Sequence, residues 1–236
     1  MMRVERNFMS TTPGDLRSLR RRARRPVPQH ARHALRQPDV TSNAVTAEKT
    51  TPVLVVLSGL PGVGKTTVAR HVSAEIGAVH VRLDTIEAAM TASGFIDRAG
   101  GWEAVPDAGY RIANAIASDF LSAGHDVVAD SVNPLGITRQ AWAEAARTAR
   151  ATLVDVEVIC SDQNLHRKRV EARASDIAGL IVPTWQQVED RTYEPWDHVI
   201  LRVDTAAGVE AATAAIVTAV HHARAAAFDP PAEPRM

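Results

Sequence analysis

Short apolar runs alternate with helical patterns between residues 53 and 226. Residues 53–58 (VLVVLS) form an almost continuous apolar run, which is typical of a strand buried on both faces of a parallel sheet. The predicted strands are residues 53–58, 78–84, 125–130, 152–160 and 198–204, and the predicted helices are residues 65–76, 85–93, 108–124, 136–150, 162–175 and 207–226. Strands that alternate with helices in this way predict an α/β fold with a mainly parallel sheet.

Two of these helices have a clear apolar stripe. The predicted stripes are Ile112, Ala113, Ile116, Phe120 and Leu121 in the first, and Val209, Ile216, Val217 and Val220 in the last helix. Such a stripe marks the face that packs on the sheet.

Residues 95–107 and 176–196 show no periodic spacing of apolar residues and are predicted to be loops. Trp185, Tyr193 and Trp196 lie in the second loop. They would either wall a ligand pocket or pack beneath the loop.

The net charge of zero results from two regions of opposite charge. Residues 1–50 hold 11 Lys+Arg and 4 Asp+Glu, whereas the remaining residues hold 16 Lys+Arg and 23 Asp+Glu. The first region is Arg-rich and lacks apolar periodicity, so we predict that it is disordered, as is the tail at residues 227–236. One folded domain would then span residues 51–226.

The basic segment leaves several interpretations open. It could bind nucleic acid, a lipid surface or an acidic partner, act as a transit peptide, or come from a misassigned start codon. The mildly acidic remainder argues against nucleic acid as the ligand of the folded domain. We see no membrane span, and the lone Cys160, expected to be a small buried side chain, suits a reducing cytoplasm.

The corner after the first strand has the spacing of a P-loop. Residues 59–66 (GLPGVGKT) fit G-x-x-x-x-G-K-[ST], in which glycines let backbone N–H groups cradle phosphate oxygens. The following helix adds about half a positive elementary charge at its N-terminus. Lys65 would reach the β- and γ-phosphates, and the Thr66 hydroxyl would bind Mg²⁺. The predicted ATP contacts are Gly59, Pro61, Gly62, Val63, Gly64, Lys65, Thr66 and Thr67.

Two aspartates are predicted to end strands beside this corner. Asp84 ends the second predicted strand, where it could accept the proton of a substrate hydroxyl or cap the next helix. Asp130 ends the third, where it could hold Mg²⁺, orient an acceptor together with Ser131 and Asn133, or form a turn before Pro134.

The segment HRKRVEAR supplies candidate lid arginines. Arg169 and Arg173 are four residues apart, so on a continuous helix they would share a face and could contact the transferred phosphate. Arg167 is predicted to form a surface pair with Glu171. The nine histidines show no metal-site spacing, and His166 and His198 are expected to be ordinary core or surface residues.

The motifs GLPGVGKTT, VRLD, VVADSVNP and RVEAR together resemble the P-loop kinases of the polynucleotide-kinase and zeta-toxin-like group, often labelled AAA family ATPases. The resemblance covers residues 53–205. It implies a three-layer P-loop NTPase sandwich with a five-stranded parallel core, a helical lid, and ATP- and Mg²⁺-dependent phosphoryl transfer to a hydroxyl.

The resemblance also implies roles for individual residues. Asp84 would be the general base, Arg169 and Arg173 the lid arginines, and Asp130 the third-strand aspartate. Polynucleotide kinases have a second acid and an arginine after the general base, whereas Thr85 and Glu87 stand here, which argues against a 5′-hydroxyl polynucleotide substrate.

The sequence therefore predicts a cytoplasmic kinase that phosphorylates a small molecule or nucleotide. A zeta-type toxin and an antibiotic-phosphorylating enzyme are alternatives with the same chemistry. A nucleotide-gated interaction module is the alternative without catalysis. The acceptor pocket is expected around residues 85–110 and 133–140.

Overall fold

The apolar run after Pro52 forms the central strand of a sheet in the computed structural model, which describes residues 51–180 and 182–228. The strands are β1 (Val53–Ser58), β2 (Val79–Arg82), β3 (Val127–Asp130), β4 (Thr152–Ile159) and β5 (Leu201–Asp204). The helices are α1 (Lys65–Ile76), α2 (Leu83–Ala92), α3 (Phe95–Ala99), α4 (Ala108–Ser122), α5 (Gly136–Ala149), α6 (Gln163–Glu171), α7 (Trp185–Glu189) and α8 (Val209–Phe228), with a 3₁₀ turn at Trp102–Ala104.

The five strands are parallel and follow the order β2-β3-β1-β4-β5. The register places Asp130 beside Leu57 on one side and beside Arg82 on the other. The carboxyl ends of β1, β2 and β3 therefore meet at one edge of the sheet. The predicted α/β fold, with the third strand beside the first, is confirmed.

Two apolar cores flank the sheet and make it the middle of three layers. Alternate residues of β1 point to opposite faces: Val53, Val55 and Leu57 pack with α1 and α8, whereas Leu54 and Val56 pack with α4 and α5. All six residues of β1 are buried. A strand covered on both faces explains the unbroken apolar run in the sequence.

The second predicted strand is shorter than expected. The ladder between β2 and β3 ends with the pair Arg82 and Asp130, and the chain turns into α2 at Leu83. Asp84 therefore lies in the first turn of α2, and Arg82 occupies the N-cap position. The predicted strand end and capping role of Asp84 are wrong, although a carboxylate in a first helical turn still interacts favourably with the helix dipole.

Two segments predicted to be loops contain short helices. The first segment holds α3 and the 3₁₀ turn, and α7 lies within the second. A capping box begins α7: the Thr184 side chain accepts a hydrogen bond from the Gln187 backbone, and the Gln187 side chain accepts one from the Thr184 backbone. The Thr-x-x-Gln spacing is a recognisable helix start that a search for apolar periodicity misses.

The buried face of α4 differs from the predicted stripe. Its buried residues are Gly109, Ala113, Ala117 and Leu121. Ile112, Ile116 and Phe120 are instead more than a third exposed. The small side chains at i, i+4 spacing let this helix lie close to its neighbours, and the larger flanking residues are turned outward. The stripe predicted for the last helix is confirmed, since Ile216, Val217 and Val220 are buried.

The predicted terminal segments fall largely outside the described part of the chain. Residues 1–50 and 229–236 are not described, and α8 extends two residues beyond the predicted domain end at residue 226. Among the described residues, no helix has both the length and the apolar character needed to cross a bilayer.

Asn133 fixes the turn after β3. It is fully buried, with a φ of 48°, a conformation that asparagine tolerates better than most residues. Its amide donates to Leu57 O and Ser58 Oγ, and its Oδ1 accepts from Ser131 Oγ at 2.8 Å and Trp142 Nε1 at 3.0 Å. The prediction that Asn133 orients an acceptor is therefore wrong, because its side chain is used entirely within the protein.

We expect Asn133→Ala to destabilise the fold strongly. The change leaves the Trp142 indole N–H and the Ser131 hydroxyl buried without their acceptor, at a cost of about 1–3 kcal/mol for each group. Chemical denaturation should show a free energy of unfolding lower by roughly 2–5 kcal/mol. The exposed Asn164→Ala is the control. Equal stability of the two variants would contradict the role of Asn133.

Candidate functional site

The residues after β1 form a turn that requires glycine at two positions. Gly59 has a φ of 137°, and a Cβ there would lie 2.2 Å from Val158 O. Gly62 has a φ of 83°, and a Cβ there would lie 2.4 Å from Val170 Cγ2. The loop thus needs both the backbone freedom and the small volume of glycine. The chain then enters α1 at Lys65, with Gly64 at the N-cap and no side chain bonded to the first N–H groups.

Lys65 lies buried inside this loop. Its Nζ donates hydrogen bonds to Gly59 O at 2.7 Å and Leu60 O at 2.9 Å. Burial lowers the pKa of Lys65 to about 8, although the negative charges of Asp130 and Asp84 oppose the shift. The ammonium is therefore held at the loop beside two carboxylates.

A second layer of side chains supports the loop from β5 and α6. Thr205 Oγ1 donates to Val63 O at 2.6 Å, and Arg169 Nη1 donates to Thr205 Oγ1 at 2.8 Å. His166 is buried, and its Nε2 lies 2.8 Å from Pro61 O. No local sequence pattern signals these contacts, because Thr205 and His166 lie more than 100 residues from the loop.

Thr66 and Asp130 lie together at the edge of the sheet. The Asp130 carboxylate lies 3.4 Å from His80 Nε2, and the Thr66 hydroxyl is near enough to influence its pKa. Burial alone would raise the pKa of Asp130, but the hydrogen bond with His80, the charge of Lys65 and the nearby Thr66 hydroxyl hold the pKa below its ordinary value. An ionised carboxylate next to a hydroxyl is a suitable pair of oxygen ligands for Mg²⁺.

Asp84 faces the same cavity from the first turn of α2. Its Oδ2 lies 3.3 Å from Arg173 Nη2 and 3.7 Å from Arg82 Nη2. Arg82 also pairs with Asp176 at 2.9 Å and lies 4.0 Å from Asp130. Arg82 thus lies between Asp84 in α2, Asp130 at the end of β3, and Asp176 in the segment that follows α6.

The predicted lid arginines do not share a helix face. Because α6 ends at Glu171, Arg173 lies beyond the helix and pairs with Asp84, whereas Arg169 is bonded to Thr205 beneath the loop. Both still line the cavity. The predicted surface pair of Arg167 and Glu171 is confirmed at 2.8 Å.

One cavity of about 1010 Å³ unites these groups. The P-loop, Thr66, Asp84, Asp130 and the two arginines line one part of it. The other part is lined by residues of α2, α4 and α5 and of the turn before α5: Glu87, Tyr110, Asn114, Leu135, Ile137 and Ala141. It overlaps the predicted acceptor region, residues 85–110 and 133–140, and extends beyond it to Asn114 and Ala141. Arg191, which follows α7, also lines the cavity and lies close enough to influence the pKa of Lys65 and of Glu87.

Sequence reasoning missed Tyr110 and Arg191 and noted Glu87 only as a departure from a motif. Burial, the largest cause, raises the pKa of Tyr110 to about 12, and its hydroxyl accepts a hydrogen bond from Asn133 N at 3.2 Å. Burial, followed by repulsion from Asp84, raises the pKa of Glu87 to about 7. The spacing of Glu87 three residues after Asp84 was the one available signal.

The aromatic residues of the second loop lie away from the cavity. Arg139 is stacked against Trp196 and Tyr193, with its Cζ 4.1 Å and 5.0 Å from the ring centroids. Trp185 packs edge-on against His166. The side chains of Trp185, Tyr193 and Trp196 therefore pack within the protein.

Cys160, expected to be buried, is only half-buried.

The AAA domain family model matches residues 54–195. The chain belongs to the AAA domain family. No curated protein matches this chain. The match covers the P-loop, Asp84, Asp130 and both candidate lid arginines.

Several solved structures share the fold of this AAA domain protein. APS kinase from Mycobacterium tuberculosis, solved with AMPPNP and APS, is 18% identical, with 73% of this chain and 99% of that chain covered and a TM-score of 0.54. A sugar kinase from Janibacter sp. is 18% identical, with 74% of this chain and 97% of that chain covered and a TM-score of 0.55. Kti12 from Chaetomium thermophilum, solved with ADP-AlF3, is 23% identical, with 72% of this chain and 98% of that chain covered and a TM-score of 0.53. The predicted P-loop kinase-like fold is confirmed.

Proposed function

We propose that this protein is an ATP-dependent kinase that phosphorylates a hydroxyl group of a small molecule or nucleotide. The observation that carries the proposal is the position of Asp84, which faces the same cavity as the Lys65 ammonium and is paired with Arg173. A carboxylate in the cavity that holds the P-loop lysine is what general-base catalysis on an acceptor hydroxyl requires. The likeness in fold to an APS kinase and a sugar kinase supports the same proposal.

Each group has a defined role in the proposed reaction. The P-loop N–H groups and Lys65 hold the triphosphate, and Asp84 accepts the proton of the acceptor hydroxyl. The acceptor oxygen forms a bond to the γ-phosphorus while the bond from that phosphorus to the bridging β-γ oxygen breaks, so that ADP leaves. Arg173 and Arg169 stabilise the negative charge on the transferred group, Arg173 after leaving its contact with Asp84 and Arg169 after leaving its hydrogen bonds with Thr205.

Magnesium fits the pair formed by Thr66 and Asp130. Both side chains offer oxygen ligands, both line the same cavity, and the lowered pKa of Asp130 keeps it ionised. Bound there, Mg²⁺ would neutralise charge on the β- and γ-phosphates.

The test is ADP release by the full-length protein with ATP and Mg²⁺ against nucleosides, nucleotides, sugars, antibiotics and 5′-hydroxyl oligonucleotides. We expect one class of acceptor to raise the rate well above that without acceptor, with the label of γ-labelled ATP appearing in the acceptor. Tight ATP binding with no acceptor response would contradict a kinase and favour the nucleotide-gated interaction module.

A further inference from the structure

Glu87 is a half-buried carboxylate that the proposed reaction does not use. It lies one helical turn after Asp84 on α2, so the two side chains leave the helix on the same side, with Cβ atoms about 5–6 Å apart. Both line the cavity. A group held this close to the proposed base lies where an acceptor would bind.

The backbone of α4 determines where this carboxylate lies. A Cβ at Gly109 would stand 2.7 Å from both Cγ and Oε1 of Glu87, so that any larger residue at position 109 would displace the carboxylate. Gly109 therefore leaves room for the Glu87 side chain at the start of α4. Such close support is what a group needs if it is to recognise a ligand in one orientation.

The Glu87 carboxylate receives no hydrogen bond or ion pair from the residues that the structure describes, and Arg191 acts on it only at longer range. Asn114, one turn after Tyr110 on α4, lines the same part of the cavity, and its Oδ1 is buried without a hydrogen-bond partner. Buried polar atoms are normally paired, and those facing a cavity are paired by a ligand or by water. Asn114 Oδ1 therefore needs a donor, and Glu87, whose raised pKa of about 7 leaves it partly ionised at neutral pH, accepts hydrogen bonds in its ionised form.

The part of the cavity lined by α5 is of a different character. Leu135, Ile137 and Ala141 give it mainly apolar surface, with Thr138 as the polar exception. A ligand suited to both walls has a carbon skeleton and several O–H or N–H donors. A carboxylate or phosphate placed beside Glu87 would instead meet repulsion from Glu87 and Asp84.

We propose that Glu87, together with Asn114, recognises the acceptor, and that the acceptor is a neutral polyol or an amino alcohol with a second donor group next to the hydroxyl that is phosphorylated. This inference rests on the proposed function, because it takes Asp84 as the group that faces the reacting hydroxyl. Glu87 then holds the neighbouring hydroxyl or ammonium group. The apolar wall of α5 contacts the carbon chain.

The test uses acceptors that are matched in skeleton and differ in charge. One set is serinol, glycerol and glycerate, and the other is glucosamine, glucose and glucuronate. ADP release and calorimetric binding in the presence of AMPPNP are measured with the full-length protein and with Glu87→Gln. Glu103→Gln, which alters an exposed carboxylate outside the cavity, is the control.

We expect a polyol or amino alcohol to be the best acceptor in its set and the anionic member to be the poorest. Glu87→Gln should raise KM for the best acceptor at least about tenfold, the cost of weakening one hydrogen bond to a charged group. The kcat should change less, and ATP affinity should not change. An anionic best acceptor, an unaltered KM in Glu87→Gln, or a panel in which nothing binds would each overturn the inference.

Asp84→Asn separates this inference from the proposed function. If Asp84 is the base, the variant loses transfer but still binds the acceptor in the presence of AMPPNP. If polyols or amino alcohols bind through Glu87 but are never phosphorylated by the unaltered protein, recognition by Glu87 stands and the kinase proposal fails.

Discussion

Replacing Lys65 by alanine is expected to reduce ATP-dependent phosphoryl transfer by roughly 10²–10³-fold, the usual cost of removing one preorganised group that stabilises charge in the transition state. The Nζ atom lies 2.7 Å from Gly59 O, within the loop that would surround the phosphates. It supplies the ammonium nearest to the proposed phosphate position. Loss of this charge should therefore weaken nucleotide binding as well as transfer.

The chain offers a matched control for this variant. Lys168 is the only other lysine among the described residues, and it is exposed on α6. Lys168→Ala should retain both activity and ADP affinity. Circular dichroism should show that both variants remain folded, since neither change removes apolar core. Full activity in Lys65→Ala would show that phosphates are not bound at this loop.

The lowered pKa of Lys65 adds a dependence on pH. Because this pKa is about 8, the ammonium loses its proton in the free protein above about pH 8, whereas bound phosphate would favour the charged form. ADP affinity measured by calorimetry should therefore fall about tenfold between about pH 7 and about pH 9. In Lys65→Ala the affinity should be low and nearly constant over this range. An equal decline in both proteins would assign the effect to another group.

The parts of the site that could be predicted from sequence are those fixed by short-range patterns. The apolar run of β1 must be buried on both faces, and the glycines after it permit a turn that other residues cannot form. Those two facts place Lys65 and Thr66 without any knowledge of the remaining chain. The order of strands and helices then restricts the sheet to a few topologies.

The remaining features depend on contacts between distant residues. Nothing near Glu171 in the sequence signals the end of α6, yet the chain leaves the helix there and Arg173 pairs with Asp84, 89 residues away. The Glu87 side chain fits beside Gly109 of α4, and Arg191 lines the cavity from a segment without apolar periodicity. Local propensity contains no information on such pairs. This explains why the C-terminal boundary of α6 and the buried face of α4 were predicted wrongly.

Asp84→Asn tests the proposed general base. Asparagine preserves the size of the side chain but has neither the negative charge nor the ability to accept the acceptor's proton. We expect kcat for phosphoryl transfer to fall by roughly 10²–10⁴-fold, the range for loss of general-base catalysis. ATP affinity should remain close to that of the unaltered protein, because Lys65, the loop amides and the pair of Thr66 and Asp130 remain in place.

A purely structural role of Asp84 would give a different set of results. Asp84 pairs with Arg82 and Arg173, so its loss could act by releasing these arginines. Asp176→Asn is the matched comparison, since Asp176 is a half-exposed carboxylate that also pairs with Arg82. If proton transfer is the role of Asp84, Asp176→Asn keeps most of the activity and Asp84→Glu restores part of it, because glutamate returns a carboxylate one methylene further from the backbone. Similar losses in Asp84→Asn and Asp176→Asn, with no recovery in Asp84→Glu, would assign Asp84 to holding Arg82 in place and leave the acceptor's proton to another group in the cavity.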